Sequence, residues 1–219
     1  MRQLTFDNAE GVRKYSGGRP KSRDSGVPHL KREAFERLTV AHVTDHLIDG
    51  MPQLRKADVY EILWEAFGEG KERAGRLEGG EFRLVHYSIQ NNHLHLLVEA
   101  GDRESLSRGM QGLKVRLTKG LNKLWGHAGT IWADRYHEHL LKTPREVWNA
   151  LRYVFDNARK HGRRLRANRP DPFSSGLWFE GWRNYVHDGW FSEEGPVARA
   201  RSWLMRVGWR RHGLLTLLN

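Results

Sequence analysis

The chain has 219 residues, with 37 Lys and Arg against 26 Asp and Glu, for a formal charge of +11 with its 12 His neutral. At roughly 100 to 200 residues per domain this length allows one generous domain with an appendage. A hydrophobic fraction of 38% with nine Trp and eight Phe is too much core material for a disordered chain. The absence of Cys excludes disulfides, thiolate metal sites and a cysteine nucleophile, so any metal must sit on His, Asp, Glu or an amide oxygen. No apolar run approaches the ~18 residues that cross a bilayer, and the N-terminus lacks the apolar stretch of a secretory signal, so a soluble, cytoplasmic protein without a membrane partner is expected.

Residues 1–33 are rich in Gly, Arg, Lys and Ser without an apolar period, and are expected to form a flexible basic arm. Residues 38–47 (LTVAHVTDHL) alternate as a strand does, and Gly50-Met51-Pro52 ends it. Over residues 56–67, Val59, Ile62, Leu63, Ala66 and Phe67 recur at helical spacing and predict an amphipathic helix. Residues 82–89 and 93–98, joined by Gln90-Asn91-Asn92, read as a hairpin. Leu106, Met110, Leu113, Leu117, Leu121 and Leu124 then mark a helix of about five turns closed near Gly126. After an extended piece over 131–141, Thr143-Pro144-Arg145-Glu146 is a capping box with Pro at the first helical position. The helix it starts is expected to run to about Lys160 and to bury Val147, Leu151, Val154, Phe155 and Ala158. Beyond it come a basic loop, an aromatic stretch and an amphipathic piece near 197–207. Mixed helices and antiparallel strands predict an α+β sandwich with helices on one sheet face, framed as an arm (1–33), a central domain (34–162) and a C-terminal extension (163–219).

The positive charge is concentrated. Residues 145–169 carry eight basic against two acidic side chains, 103–123 six against one, and 199–212 five against none. Each block alone reads as a solvated helix face, but three together favour a shared polyanion, with nucleic acid ahead of an anionic membrane surface. Arg108, Lys114, Arg116 and Lys119 on the second predicted helix, and Arg152, Arg159 and Lys160 on the third, are the candidate phosphate contacts.

Period-two alternation in His93-Leu94-His95-Leu96-Leu97-Val98 puts both His on one strand face. Two imidazoles about 6 to 7 Å apart along a strand can converge on one divalent ion, and equally can be two polar residues on a solvated face. His137-Glu138-His139 has the same spacing in a more polar context and is the runner-up metal pair. On the capped helix Tyr153 lies roughly 140° from the centre of the apolar stripe, so its own helix does not place it in the core. Asn157, one turn on, shares its face. Tyr153 then either packs on a neighbouring loop or acts beside the His pair. Taken with that pair it suggests phosphodiester cleavage, in which a metal polarises the phosphate and a Tyr oxygen attacks, leaving a phosphotyrosine and a free 3′-hydroxyl. Tyr136 is the alternative nucleophile.

The segments VHYSIQNNHLHLLVEA and IWADRYHEHLLKTPREVWNALRYVFDNARKHG, with a long basic helix between them, resemble the single-tyrosine HUH transposases, the IS200-like family and specifically its REP-associated tyrosine transposase branch, from about Leu38 to Gly162. In that resemblance the histidine-hydrophobic-histidine motif falls on His93, Leu94 and His95, the catalytic Tyr on Tyr153, and a polar third metal ligand on Asn157. It implies a ferredoxin-like α+β fold with a central antiparallel sheet, Mg or Mn as cofactor, single-stranded or hairpin DNA as substrate, nucleoid association, and a monomer or homodimer. The chain has Asn157-Ala158 where many relatives have Asn-Pro, and Gln90-Asn91-Asn92 where others have Met-Pro before the first His; neither change removes a chemical group. A histidine-triad hydrolase would need a third His where Leu97 stands. The alternative is a domesticated, catalytically silent DNA-hairpin-binding protein of the same fold.

Overall fold

The computed structural model describes residues 32–76, 82–160, 162, 165–166, 169–185 and 194–217. The expected basic arm lies almost wholly outside these residues.

Four strands form one antiparallel sheet: β1 (Thr39–His46), β2 (Phe82–Ile89), β3 (His93–Ala100) and β4 (His137–Leu141), in the spatial order β2-β3-β1-β4. Helices α1 (Ala57–Arg76) and α2 (Arg103–Trp125) provide the two crossovers, and the order β1-α1-β2-β3-α2-β4 is the ferredoxin-like connectivity the resemblance implies. The hairpin between β2 and β3 closes through the Gln90 amide on the His93 carbonyl, at 2.9 Å. Asp102 caps α2 by accepting from the Ser105 amide, and Gly126 ends it in the left-handed region at φ 61°, which a residue without Cβ adopts at little cost. The capping box of α3 (Pro144–Lys160) forms as its sequence dictates. The Glu146 amide donates to Thr143 Oγ1 at 3.2 Å, and the Thr143 amide donates back to the Glu146 carboxylate at 2.8 Å.

Two apolar cores lie on opposite faces of the sheet. The first joins Ala41, Val43, Leu94, Leu96 and Val98 to the stripes of α1 and α2. A Cβ on Gly120 would stand 2.5 Å from the Ile62 side chain, so glycine is what allows these helices to pack this closely. The second core joins Val40, Val85, Leu97 and Leu141 to Val147, Leu151, Val154 and Phe155 of α3. Helices therefore cover both faces rather than one: α3 buries a strong stripe of its own, and the first face is already filled.

The C-terminal residues belong to this second core through Phe179, Trp182, Met205, Trp209, Leu215 and Leu217. They also line the free edge of β2, where the Ile89 amide donates to the Phe173 carbonyl, the Tyr87 amide to Ser175 Oγ, and the Ala198 amide to the Leu84 carbonyl. Within the amphipathic piece over 197–207 there is one short helical turn, α4 (Trp203–Arg206), whose preceding amides at Arg201 and Ser202 donate to the fully buried Glu99 carboxylate. The extended piece over 131–141 is a strand only at its end, because residues 131–136 are used to bridge Leu47 and to wall the outer side of α2.

Candidate active site

The face of the sheet beneath α3 carries an unusual row of imidazoles. On β1, period-two alternation places His42, Thr44 and His46 on the same side as Val40, which packs under α3. Thr44 pairs with His95, His46 with His93, and on the other flank His42 pairs with His139 and Thr44 with His137. The sheet thus gathers four further His, at 42, 46, 137 and 139, around the His93-His95 pair.

His93 and His95 turn their Nε2 atoms toward each other at 3.1 Å. Their Nδ1 atoms are engaged separately: that of His93 by Asn92 Oδ1 at 2.9 Å, and that of His95 by Thr44 Oγ1 at 3.1 Å and His42 Nε2 at 3.2 Å. Tyr153 reaches this pair from α3. Its ring stands edge-on to His95 with centroids 5.1 Å apart and edge-on to His42 at 5.6 Å, while Lys160 Nζ lies 4.9 Å over its centre. Tyr153 is 40% exposed, so its hydroxyl is open to a large substrate. Asn157, one turn on, is 1% exposed, and neither its Oδ1 nor its Nδ2 has a hydrogen-bond partner among the described residues. An amide buried in that state carries an uncompensated desolvation cost.

These features fit a divalent ion. Two imidazole nitrogens converge, their other nitrogens are held by groups that orient them, and a buried amide oxygen is left without an internal donor. Among the described residues no three His, Asp or Glu side chains are grouped as a metal site. His137 and His139 are exposed on β4, opposite Thr44 and His42 of β1 respectively. Burial, with the adjacent charges of His137 and His139, pushes the pKa of His42 down to about 4, so at neutral pH its ring is an uncharged neighbour of Tyr153. Tyr136 is buried against the Arg32 guanidinium, 3.8 Å over its ring. It precedes β4 on the α2 side of the sheet.

The seven basic candidates divide by sheet face. Lys160 is beside Tyr153; Arg152 lies 3.6 Å from Asp156, and Arg159 donates to the carbonyls of Arg166 and Arg169. The four on α2 stand on the other side. Lys114 is bound to the buried Asp45 at 3.0 Å and to the Asp134 carbonyl, and Arg116 to the Ala66 carbonyl at 3.2 Å. A basic helix face in the sequence does not reveal that two of its charges answer internal acceptors. Arg108 pairs with Glu104 on the surface, and Lys119 is exposed. Sequence reasoning overlooked His42, Thr44 and Asn92, although the alternation of HVTDH in β1 was the signal that could have found the first two.

Residues 71–156 match the family model described as "Transposase IS200 like". That span contains His93, His95 and Tyr153 and stops one residue short of Asn157. No curated protein matches the chain. Among solved structures it is similar to "Structure of the REP associates tyrosine transposase bound to a REP hairpin", with a TM-score of 0.56 and 19% identity over 80% of this chain and 100% of that one. This likeness establishes the shared fold.

Proposed function

From a chain whose residues 71–156 carry the IS200-like transposase pattern, we propose a DNA transposase that binds hairpin DNA and cleaves and rejoins single strands through Tyr153. The observation that carries this reading is the meeting, on one sheet face, of the half-exposed Tyr153, the convergent His93 and His95, and the unpartnered Asn157. A hairpin is the ligand of the structural relative, and the clustered positive charge of this chain suits a polyanion.

In the proposed reaction Tyr153 Oη attacks phosphorus. The P–O(Tyr) bond forms as the bond to the 3′-oxygen breaks, giving a 5′-phosphotyrosine and a 3′-hydroxyl that carries the proton the phenol gave up. His93, His95 and Asn157 would hold Mg or Mn, which supplies Lewis-acid polarisation of the phosphate. Lys160, close to the Tyr153 ring, places positive charge where the phosphate oxygens accumulate negative charge. The edge-on contacts with His42 and His95 hold the phenol in position, and covalent attachment keeps the phosphoester available for rejoining.

The test uses a 5′-labelled and a 3′-labelled hairpin with single-stranded flanks, incubated with the protein and Mn. A denaturant-stable adduct that maps by mass spectrometry to Tyr153, and is lost in Tyr153→Phe with DNA affinity within a few-fold of wild type, supports the reading. Binding without any adduct would leave a hairpin-binding protein, and an adduct on Tyr136 would move the nucleophile.

A further inference from the structure

At the Phe82 and Ala100 end of the β2-β3 hairpin, opposite to the turn that carries His93, a cavity of about 480 Å³ is lined by residues 36–38, Arg83, the start of α2 and Arg201. This is within the range of about 300 to 1,000 Å³ typical of ligand sites. We propose that it binds a phosphate dianion, either free or as the terminal phosphate of a mononucleotide. The cavity is separate from the Tyr153 site: Glu99, which pairs with Arg83, stands four residues along β3 from His95, roughly 13 Å away.

Arg83 carries the assignment. It is 8% exposed and lines the cavity, yet among the described residues its guanidinium makes no hydrogen bond and no ion pair. Arginine is almost never buried to that extent unless its charge is paired. The carboxylate opposite it in the strand register is already engaged, because the fully buried Glu99 accepts from the Arg201 and Ser202 amides at 2.7 and 2.9 Å. Burial and the charge of Arg201 lower the pKa of Arg83, and the charge of Glu99 opposes them. An anion between the two guanidiniums offsets both lowering effects.

Two more cations complete the lining. Arg37 and Arg201 are exposed, and neither side chain has a hydrogen-bond or ion-pair partner among the described residues. Of the two carboxylates that also line the cavity, that of Asp102 is held by the Ser105 amide at 2.6 Å as the cap of α2, and that of Glu36 is exposed. The balance is positive.

The guanidinium fork matches phosphate oxygens in pairs, and a phosphomonoester offers three unesterified oxygens with close to two charges at neutral pH. A backbone diester offers two oxygens and one charge, and its two sugars hold it away from a guanidinium that is nine-tenths buried. The three arginines come from before β1, from β2 and from the C-terminal residues. A phosphate bound among them ties the C-terminal residues to the sheet and stabilises the folded chain by mass action.

The experiment titrates the full chain with inorganic phosphate, thymidine 5′-monophosphate, thymidine and dimethyl phosphate at fixed ionic strength, by calorimetry and thermal melting, for wild type, Arg83→Met, Arg37→Ala and Arg201→Ala. Wild type is expected to bind inorganic phosphate saturably and to melt at a higher temperature with it, with dimethyl phosphate about tenfold weaker or worse and thymidine not bound. Each variant should lose about tenfold or more in phosphate affinity, as expected for a hydrogen bond between charged groups. A monophosphate that binds more tightly than inorganic phosphate identifies a nucleotide as the ligand, and one that does not identifies the free ion; either result supports the site. Arg37 and Arg201 are exposed, so their variants decide the matter if Arg83→Met fails to fold. The proposal is overturned if wild type shows no saturable phosphate binding, if the arginine variants bind phosphate as wild type does, or if dimethyl phosphate binds as tightly as phosphate.

Discussion

His95 Nδ1 lies 3.1 Å from Thr44 Oγ1 across the β1-β3 pairing, while the opposite ring nitrogen faces His93. A proton on Nδ1 donated to Thr44 leaves the Nε2 lone pair directed at the place where an ion would sit. Asn92 does the same for His93, accepting from Nδ1 at 2.9 Å. The tautomers are thus set by three uncharged neighbours, since His42 Nε2 also stands 3.2 Å from His95 Nδ1.

Losing these orienting groups is expected to weaken Mn affinity by about 10- to 100-fold. Isothermal titration of Asn92→Ala and of the double variant Thr44→Val/His42→Phe checks this, with the single Thr44→Val showing a smaller loss because His42 can still accept. Wild-type affinity in the double variant would mean that His95 is oriented by packing alone.

Asn157→Leu should separate stability from chemistry. A buried amide without partners costs about 1 to 3 kcal/mol, so a well-packed apolar residue there should raise the melting temperature by several degrees. Strand cleavage should be lost in the same variant. A lowered melting temperature would show that the fold itself satisfies the amide.

His86 makes the second core sensitive to acid. It is enclosed by Phe155 and Phe179, and burial pushes its pKa from 6.5 to about 3. Between those values the unfolded chain binds the proton and the folded chain does not, so stability is fully present above pH 6.5 and falls as the pH drops toward 3. Urea midpoints at pH 6.5 and pH 4.5 should differ less in His86→Leu than in wild type, by an amount equivalent to about 2 kcal/mol. Equal differences in the two proteins would contradict this role for His86.

The C-terminal residues are anchored by a buried ion pair. Both Arg55 guanidinium nitrogens reach the Asp171 carboxylate, at 2.7 and 2.8 Å, and one also donates to the Ile89 carbonyl. Asp171→Ala strands the arginine and should cost about 3 to 5 kcal/mol, whereas Arg55→Met/Asp171→Leu should recover most of the loss. Chemical denaturation of the two variants provides the measurement; a small effect of the single change would indicate that solvent reaches Arg55.

What the sequence by itself determined is local and periodic. The i, i+2 spacing in residues 93–98 places both His on one face of β3, the i, i+3, i+4 stripes mark α1, α2 and α3, and Thr143 with Glu146 starts α3 where the structure has it. These signals depend only on near neighbours, and the motif resemblance rests on the same short segments. Sheet order and helix docking decided the rest. Only the placement of α3 on the second face brings Tyr153 against His95, and only the central position of β1 makes His42 and Thr44 part of the site. The same holds for charge: Lys114 looks like a surface cation from its helix alone, but the fold sets a buried Asp45 beneath it. A buried carboxylate must find a counter-ion, and which lysine answers depends on contacts 69 residues apart in the chain, beyond the reach of any local pattern.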